Sequence, residues 1–324
     1  MSIAPANLGA CLRIAREAEE LGFSSLWLAE VNGPDALVTL AGCAQNTNRV
    51  DLVTGVLPIQ IRTPAAMAMA FLTLNELSGG RAVAGLGVSG PVIVERWHGA
   101  AYSRPLTAMR ECVAIMRELF TQGRCKFAGK VYRCEFRFGP RLAAPRPPRI
   151  FLAALNPPML RLAGEIADGV LLNYSAPEAV SEMVGEVRAA ARAAGRNPQE
   201  LAVAVYTRMC VTDDERRALD QFKRELATYA FVDSYARMFE RHGMAEEFAE
   251  VRRLWREGRR EEAPGALSDR SVRQMAAFGP ASACRDLVAR FRQAGVSIPV
   301  IFPVVGGPAA LDEFTATMRA LADA

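Results

Sequence analysis

Three times in this chain a helix-forming stretch runs into one glycine and then into an apolar strand-forming stretch: at Leu21-Gly22-Phe23, Ala194-Gly195-Arg196 and Ala294-Gly295-Val296. Glycine at such a join takes the left-handed turn that ends a helix at little steric cost. A chain built from helix-then-strand units lays its strands parallel, because each helix carries the backbone back to the end of the sheet it left. The pattern predicts seven strands, at Ser24–Leu28, Asp51–Leu57, Arg81–Gly87, Ile150–Leu155, Gly169–Leu172, Leu201–Val211 and Ile298–Pro303. Helices fit at Leu8–Leu21, Asp35–Gln45, Pro64–Leu77, Leu106–Thr121, Met159–Ala167, Glu178–Ala194 and Ala281–Ala294. Seven strands alternating with helices point to a (β/α)8 TIM barrel, with a doubly wound sheet as the alternative.

Two segments break the rhythm. Residues 125–138 read as a β-hairpin around Gly129, a lid or a subunit contact. Residues 213–262 are helical, highly charged and dotted with Phe222, Tyr229, Phe231, Tyr235, Phe239 and Trp255. They form a helical insertion before the last strand, expected to cap the barrel mouth, or otherwise a solvated excursion. The start is short: residues 1–5 offer only a stub where a first strand belongs, so the seam of the barrel is expected to be irregular. No linker composition divides residues 1–324, which read as a single domain.

Composition narrows the function. A net charge of +4 over 324 residues, with no basic block, argues against nucleic acid. Seven dispersed cysteines without C-x-x-C spacing read as free thiols of a cytoplasmic protein. Two histidines, His98 and His242, are too few for a histidine-based metal centre, and no metal is expected. No apolar run is long enough to span a bilayer.

The run Leu77-Ser-Gly-Gly-Arg-Ala-Val-Ala-Gly-Leu-Gly-Val-Ser-Gly-Pro91 joins a helix end, a strand of small residues and a glycine-rich loop where a ligand could reach the backbone. By itself this is equally a tight turn in an α/β core. It gains weight from its company: Ala18-Glu-Glu-Leu-Gly-Phe23, Leu26-Trp-Leu-Ala-Glu30, Arg62-Thr-Pro-Ala65, Glu95-Arg-Trp-His-Gly99 and Leu160-Arg-Leu-Ala-Gly-Glu-Ile-Ala-Asp-Gly169. In this order the motifs resemble the bacterial luciferase-like superfamily. Within it they are most similar to the coenzyme F420-dependent oxidoreductases related to methylenetetrahydromethanopterin reductase.

The resemblance implies a (β/α)8 barrel with its cofactor at the carboxyl ends of the strands, where such barrels carry their chemistry. It implies a non-proline cis peptide at Gly55-Val56 backing the cofactor ring, with Gly87, Val88 and Ser89 beside it. Ala154, Leu155, Asn156 and Met159 match the phosphate-binding loop, and Asn173 matches a contact to ring or tail. Catalytic candidates are Glu30, Glu95 and His98 as proton donors; the alternatives are that Glu30 caps the helix starting near Asp35 and that Glu95 and His98 form a surface loop ion pair. The chain departs from the family at Val31, where a histidine is usual, and at Asn156-Pro157-Pro158, where two prolines withdraw backbone N–H donors. Phosphate binding would then be weaker, or fall to Arg62 or Arg161. The expected function is hydride transfer between coenzyme F420 and a small organic substrate, in a homodimer. The alternatives are an FMN-dependent monooxygenase and a non-redox barrel.

Overall fold

The computed structural model describes residues 1–3, 7–139, 146–306 and 310–322. Of the expected stub, Ala4 and Pro5 lie outside the described residues. The elements in chain order are α1 (Leu8–Glu20), β1 (Ser25–Leu28), α2 (Ala36–Ala44), β2 (Asp51–Thr54), β3 (Leu57–Pro58), α3 (Pro64–Leu77) and β4 (Ala82–Gly87). They continue with α4 (Pro105–Gln122), β5 (Arg124–Ala128), β6 (Arg133–Arg137), β7 (Arg149–Ala153), α5 (Pro157–Ile166), β8 (Gly169–Leu172), α6 (Pro177–Ala193) and β9 (Ala202–Val211). Then come α7 (Glu215–Thr228), α8 (Asp233–Arg241), α9 (Ala245–Arg256), α10 (Asp269–Met275), β10 (Ala276–Gly279), α11 (Ala281–Gln293), β11 (Ile298–Pro303) and α12 (Ala310–Ala320).

Every pairing in the main sheet is parallel, in the order β1-β2-β4-β7-β8-β9, with β11 on the far side of β9. Seven strands thus form a nearly closed TIM-type barrel, not a doubly wound sheet. The remaining gap lies between β1 and β11, and Met1–Ile3 fills it. Ser2 N–H donates to Ile301 O at 2.8 Å, Ile3 N–H to Trp27 O at 2.8 Å, and Trp27 N–H to Met1 O at 2.9 Å. Only one bridge, Ser2 to Trp27, is regular, so a stub takes the place of a first strand. It suffices because it satisfies both flanking edges, which would otherwise hold buried, unpaired N–H and C=O groups. Ile3 is fully buried beneath it.

The lumen is filled from every strand of the barrel: Trp27, Val53, Val83, Phe151, Leu171 and Val300 come singly, and β9 supplies both Ala204 and Tyr206. A second, larger apolar layer lies between the strands and the outer helices. At α1 and α4 a carboxylate does a backbone's work. Glu19 accepts from the N–H groups of Asn48, Arg49 and Val50, and Glu111 from those of Lys130, Val131 and Tyr132. The second set holds the turn of the antiparallel β5–β6 hairpin against α4.

The insertion differs from expectation at its far end. Helix α10 and a short strand, β10, follow residue 262, and β10 pairs with the last residues of β9, Arg208–Val211. The insertion is therefore bounded by β9 and β10, and α11 and β11 come after it. Its helices share a core of their own, including Phe222, Phe239 and Phe248, with Tyr174 and Phe278 joining it from the barrel. Because it leaves β9 at Val211, it sits over the carboxyl ends of the strands. Among the described residues no helix is long and apolar enough to cross a membrane, and all seven cysteines are free thiols.

Two outcomes follow. Ile3→Ala should cost about 2–4 kcal/mol, read as a lowered thermal midpoint. Burial raises the Glu19 and Glu111 carboxyls, but the backbone N–H donors outweigh it and leave both below the usual range. Their stabilisation is present above the unfolded carboxyl value of about 4.3 and is lost as pH falls through the lower folded value. Thermal midpoints from pH 7 to pH 3 should therefore fall steeply for the wild type. Glu19→Gln and Glu111→Gln should start lower at pH 7 and show a shallower acid slope.

Candidate active site

At the end of β2 the backbone of Thr54-Gly55-Val56 lies directly on β4. Thr54 Oγ1 accepts from Gly85 N–H at 2.9 Å and donates to Gly85 O at 2.7 Å. A Cβ on Gly85 would stand 1.8 Å from Thr54 O, and one on Gly87 2.4 Å from a Val56 methyl. Only a strand of bare backbone lets the two approach this closely, which explains the glycines of Gly85-Leu86-Gly87. The Gly55-Val56 bond is cis, as the family resemblance implies. From across the lumen Tyr206 donates its hydroxyl to Gly55 O at 2.5 Å. Its burial holds the phenol protonated, well above its ordinary value.

Glu30 closes one side of this floor. Its backbone N–H donates to Val56 O at 3.1 Å. Its carboxylate accepts from Ala36 N–H, at the start of α2, and from Arg62, which also pairs with Asp35 at 2.5 Å. Burial raises the Asp35 carboxyl, yet the Val38 N–H and the Arg62 guanidinium leave it below its usual value. Glu30 thus does cap α2, and both its oxygens act as acceptors. Arg62 is held between two carboxylates, and Arg161 pairs with Glu186 at 2.7 Å.

The loop after β4 brings Val88 and Ser89 to the same face, half-buried, with Ser89 in the left-handed region at φ 53°. Pro91 then starts a π-helical turn, Val92–Trp97. Val94 is its buried anchor, while Glu95 and His98 are exposed. Glu95 accepts from Tyr102 N–H at 3.4 Å, and among the described residues no hydrogen bond joins Glu95 or His98 to Glu30.

After β7, Ala154 is buried and donates its N–H to Leu171 O. Pro157 and Pro158 occupy the first two helical positions of α5, and the N–H of Met159 turns back to Asn156 O at 3.0 Å. The start of α5 therefore lacks the open set of N–H groups that holds a phosphate elsewhere. The insertion sits on this loop instead: Asn156 Nδ2 donates to Ser234 O at 2.9 Å, and Arg241 donates to Leu155 O at 2.8 Å. After β8, Asn173 Nδ2 donates to the Tyr235 hydroxyl at 3.0 Å, while its Oδ1 is buried without a partner. Both amide atoms of Gln60, just beyond β3, are likewise buried and unpartnered.

The structure thus gathers Glu30, Gly55, Val56, Gly87, Val88, Ser89, Ala154, Leu155, Asn156, Met159 and Asn173 around the carboxyl ends of the strands, with Glu95 and His98 on an exposed turn at the same end. Sequence reasoning missed Gln60, Tyr206, Arg208, Glu225 and Tyr235. For Arg208 a signal existed: it is the one charged residue in the apolar strand Ala202–Val211. A surface groove of about 720 Å³ between α4, α5 and the hairpin turn, lined by Arg110, Glu111, Lys130 and Arg161, lies on the outer wall and reaches Pro158 at the start of α5.

The sequence profile of the family described as luciferase-like monooxygenase matches residues 1–297. Over 307 residues the chain is 33% identical to a Mycobacterium tuberculosis protein bearing the name "Putative coenzyme F420-dependent oxidoreductase", with 88% of each chain covered. It is 34% identical over 233 residues to a 5,10-methylenetetrahydromethanopterin reductase of Methanolobus tindarius, covering 71% of this chain and 70% of that one. Among solved structures, the coenzyme F420-dependent tetrahydromethanopterin reductase of Methanopyrus kandleri aligns with a TM-score of 0.81 at 23% identity, over 100% of this chain and 96% of that chain, a likeness of fold. With a nearly closed parallel barrel, a cis Gly55-Val56 bond on bare β4 backbone and a profile match across most of its length, the chain belongs to the luciferase-like monooxygenase family.

Proposed function

We propose that this protein is a coenzyme F420-dependent oxidoreductase acting on a small organic substrate. The observation that carries the reading is the floor at the carboxyl ends of the strands, where Gly55-Val56 is packed on Gly85 and Gly87 and held by Tyr206, and beside which we place a planar ring. The residues present fit such a ring: the Gln60 amide and Asn173 Oδ1 leave unused donor and acceptor capacity for a polar ring edge, and an unpaired buried amide is costly unless a ligand completes it. The names of the relatives at 33–34% identity support the same choice.

Held at this floor, a reduced deazaflavin would supply hydride-transfer chemistry toward an electrophilic substrate carbon. The protein's own contribution is orientation and exclusion of water. Tyr206 fixes the carbonyl of Gly55 from across the lumen, and the insertion, anchored on Leu155, Asn156 and Asn173, roofs the face. Glu30, accepting from Arg62 and Ala36, is occupied in holding α2 to the floor. Glu95 and His98, exposed at the rim, are the groups able to pass a proton between solvent and substrate.

Titration of the purified protein with coenzyme F420 and with FMN, followed by fluorescence, tests the reading. Saturable binding of coenzyme F420, tighter than that of FMN, is expected. FMN binding alone would move the assignment to the monooxygenase side of the family, and binding of neither would leave a barrel without redox chemistry. A second outcome concerns the proline-blocked start of α5. Pro158→Ala restores one backbone N–H there, and a charge-assisted hydrogen bond contributes about 1.5–3 kcal/mol. Coenzyme F420 should bind roughly tenfold more tightly to this variant, with the thermal midpoint as a check that the helix is intact.

A further inference from the structure

Strand β9 turns alternate side chains into the lumen, and Ala204 and Tyr206 belong to the lumen cluster. The same alternation puts Arg208 one layer higher, at the carboxyl end of the barrel under the insertion. Its side chain is only 5% exposed. The guanidinium carbon stands 3.7 Å from the ring centre of Phe302, 4.5 Å from that of Tyr174 and 5.2 Å from that of Tyr206. One carboxylate faces it: Glu225, from α7, accepts from Arg208 Nε at 3.3 Å and also takes the Tyr174 hydroxyl. Nη1 is buried and has no hydrogen-bond partner.

A guanidinium buried for stability alone pairs its fork with a carboxylate through two short bonds. Here the carboxylate contact is single and long, shared with the Tyr174 phenol, and the buried Nη1 amino group is left over in a water-poor site. That is an expensive arrangement for a structural residue and a suitable one for a residue awaiting an anion. The walls restrict which anion. Three flat aromatic walls around a planar guanidinium whose Nη1 amino group is unpartnered suit a flat carboxylate over a tetrahedral phosphate dianion.

We propose that Arg208 anchors the substrate through a planar carboxylate, held between the Phe302, Tyr206 and Tyr174 rings, with Glu225 positioning the guanidinium. This rests on the reading of the carboxyl face as the redox site, and it narrows the substrate to small carboxylates whose acid group lies in or conjugated with a flat unsaturated skeleton.

Calorimetric titration of the full-length protein with benzoate and trans-cinnamate, against their neutral amides benzamide and cinnamamide, tests it without turnover. The carboxylates should bind saturably and the amides at least tenfold more weakly. Arg208→Lys, which keeps the charge but loses the planar fork, should weaken carboxylate binding about tenfold. The pair Arg208→Gln with Glu225→Gln, which avoids stranding a buried carboxylate, should abolish it while coenzyme F420 still binds. No carboxylate binding by the wild type, equal binding of acids and amides, or undiminished binding by the double variant would each overturn the proposal. Arg208-dependent carboxylate binding by a protein that binds no coenzyme F420 would instead overturn the oxidoreductase reading and leave the anion site standing.

Discussion

The hydrogen bond from Tyr206 to the carbonyl of Gly55 spans the lumen from β9 to the end of β2, and the working face of the molecule depends on it. For that hydroxyl to reach, residue 55 can carry no side chain: a Cβ there would stand 2.0 Å from the Tyr206 oxygen. For the segment to lie flat on β4, residues 85 and 87 must be bare as well. Three glycines on two strands and one tyrosine on a third therefore form a single constraint. It pins the end of β2 at the mouth of the barrel, with Val56 packed on Gly87 and Thr54 on Gly85.

Around this mouth the protein places polar groups that its own fold does not saturate. Glu30, Asp35 and Arg62 are mutually satisfied and hold α2 to the floor. Gln60, Asn173 and Arg208 keep buried atoms without partners. Buried polar atoms in native proteins are nearly always paired; of the residues that keep such atoms among the described residues, Arg188 and Glu313 lie on the outer helices α6 and α12, and these three lie near the carboxyl ends of the barrel. By roofing the face with Tyr229, Tyr235 and the α7 carboxylate Glu225, the insertion removes water that would otherwise solvate the guanidinium of Arg208, and any charge interaction there is strengthened by the low local dielectric.

The chain start and the hairpin show how local shortfalls are made good by contacts distant in sequence. Met1–Ile3 lies between β1 and β11 and bonds to both, though the two strands stand at opposite ends of the chain. The β5–β6 turn is held by a carboxylate nineteen to twenty-one residues away, Glu111. The Tyr132 hydroxyl then reaches Ile59 O at 3.0 Å, linking this outer hairpin to the loop that carries Gln60.

Much of the architecture was legible in the residues because it is written in local chemistry. Glycine after a helix, apolar runs of strand length and helical spacing of Leu106, Met109, Val113 and Met116 are each read within one element, and together they imply a parallel barrel. The strand of small residues ending Gly85-Leu86-Gly87 was visible too, as one suited to a crowded interior, whereas Gly55 was marked by the family resemblance alone. Strand β10 was not legible: Ala276-Ala277-Phe278-Gly279 has too little β-branched character to announce itself, and it becomes a strand only because the end of β9 offers it an unpaired edge. The chain alone offered both roles for Glu30 without choosing between them, and could not say that Asn156 would be claimed by Ser234 or that Arg208 would lie among three rings with Nη1 unpaired. Which polar groups find partners depends on distances between segments far apart in sequence. Those distances are set by the closure of the barrel and the seating of the insertion, so the residues determined the parts and the tertiary structure decided which of them were left free to bind.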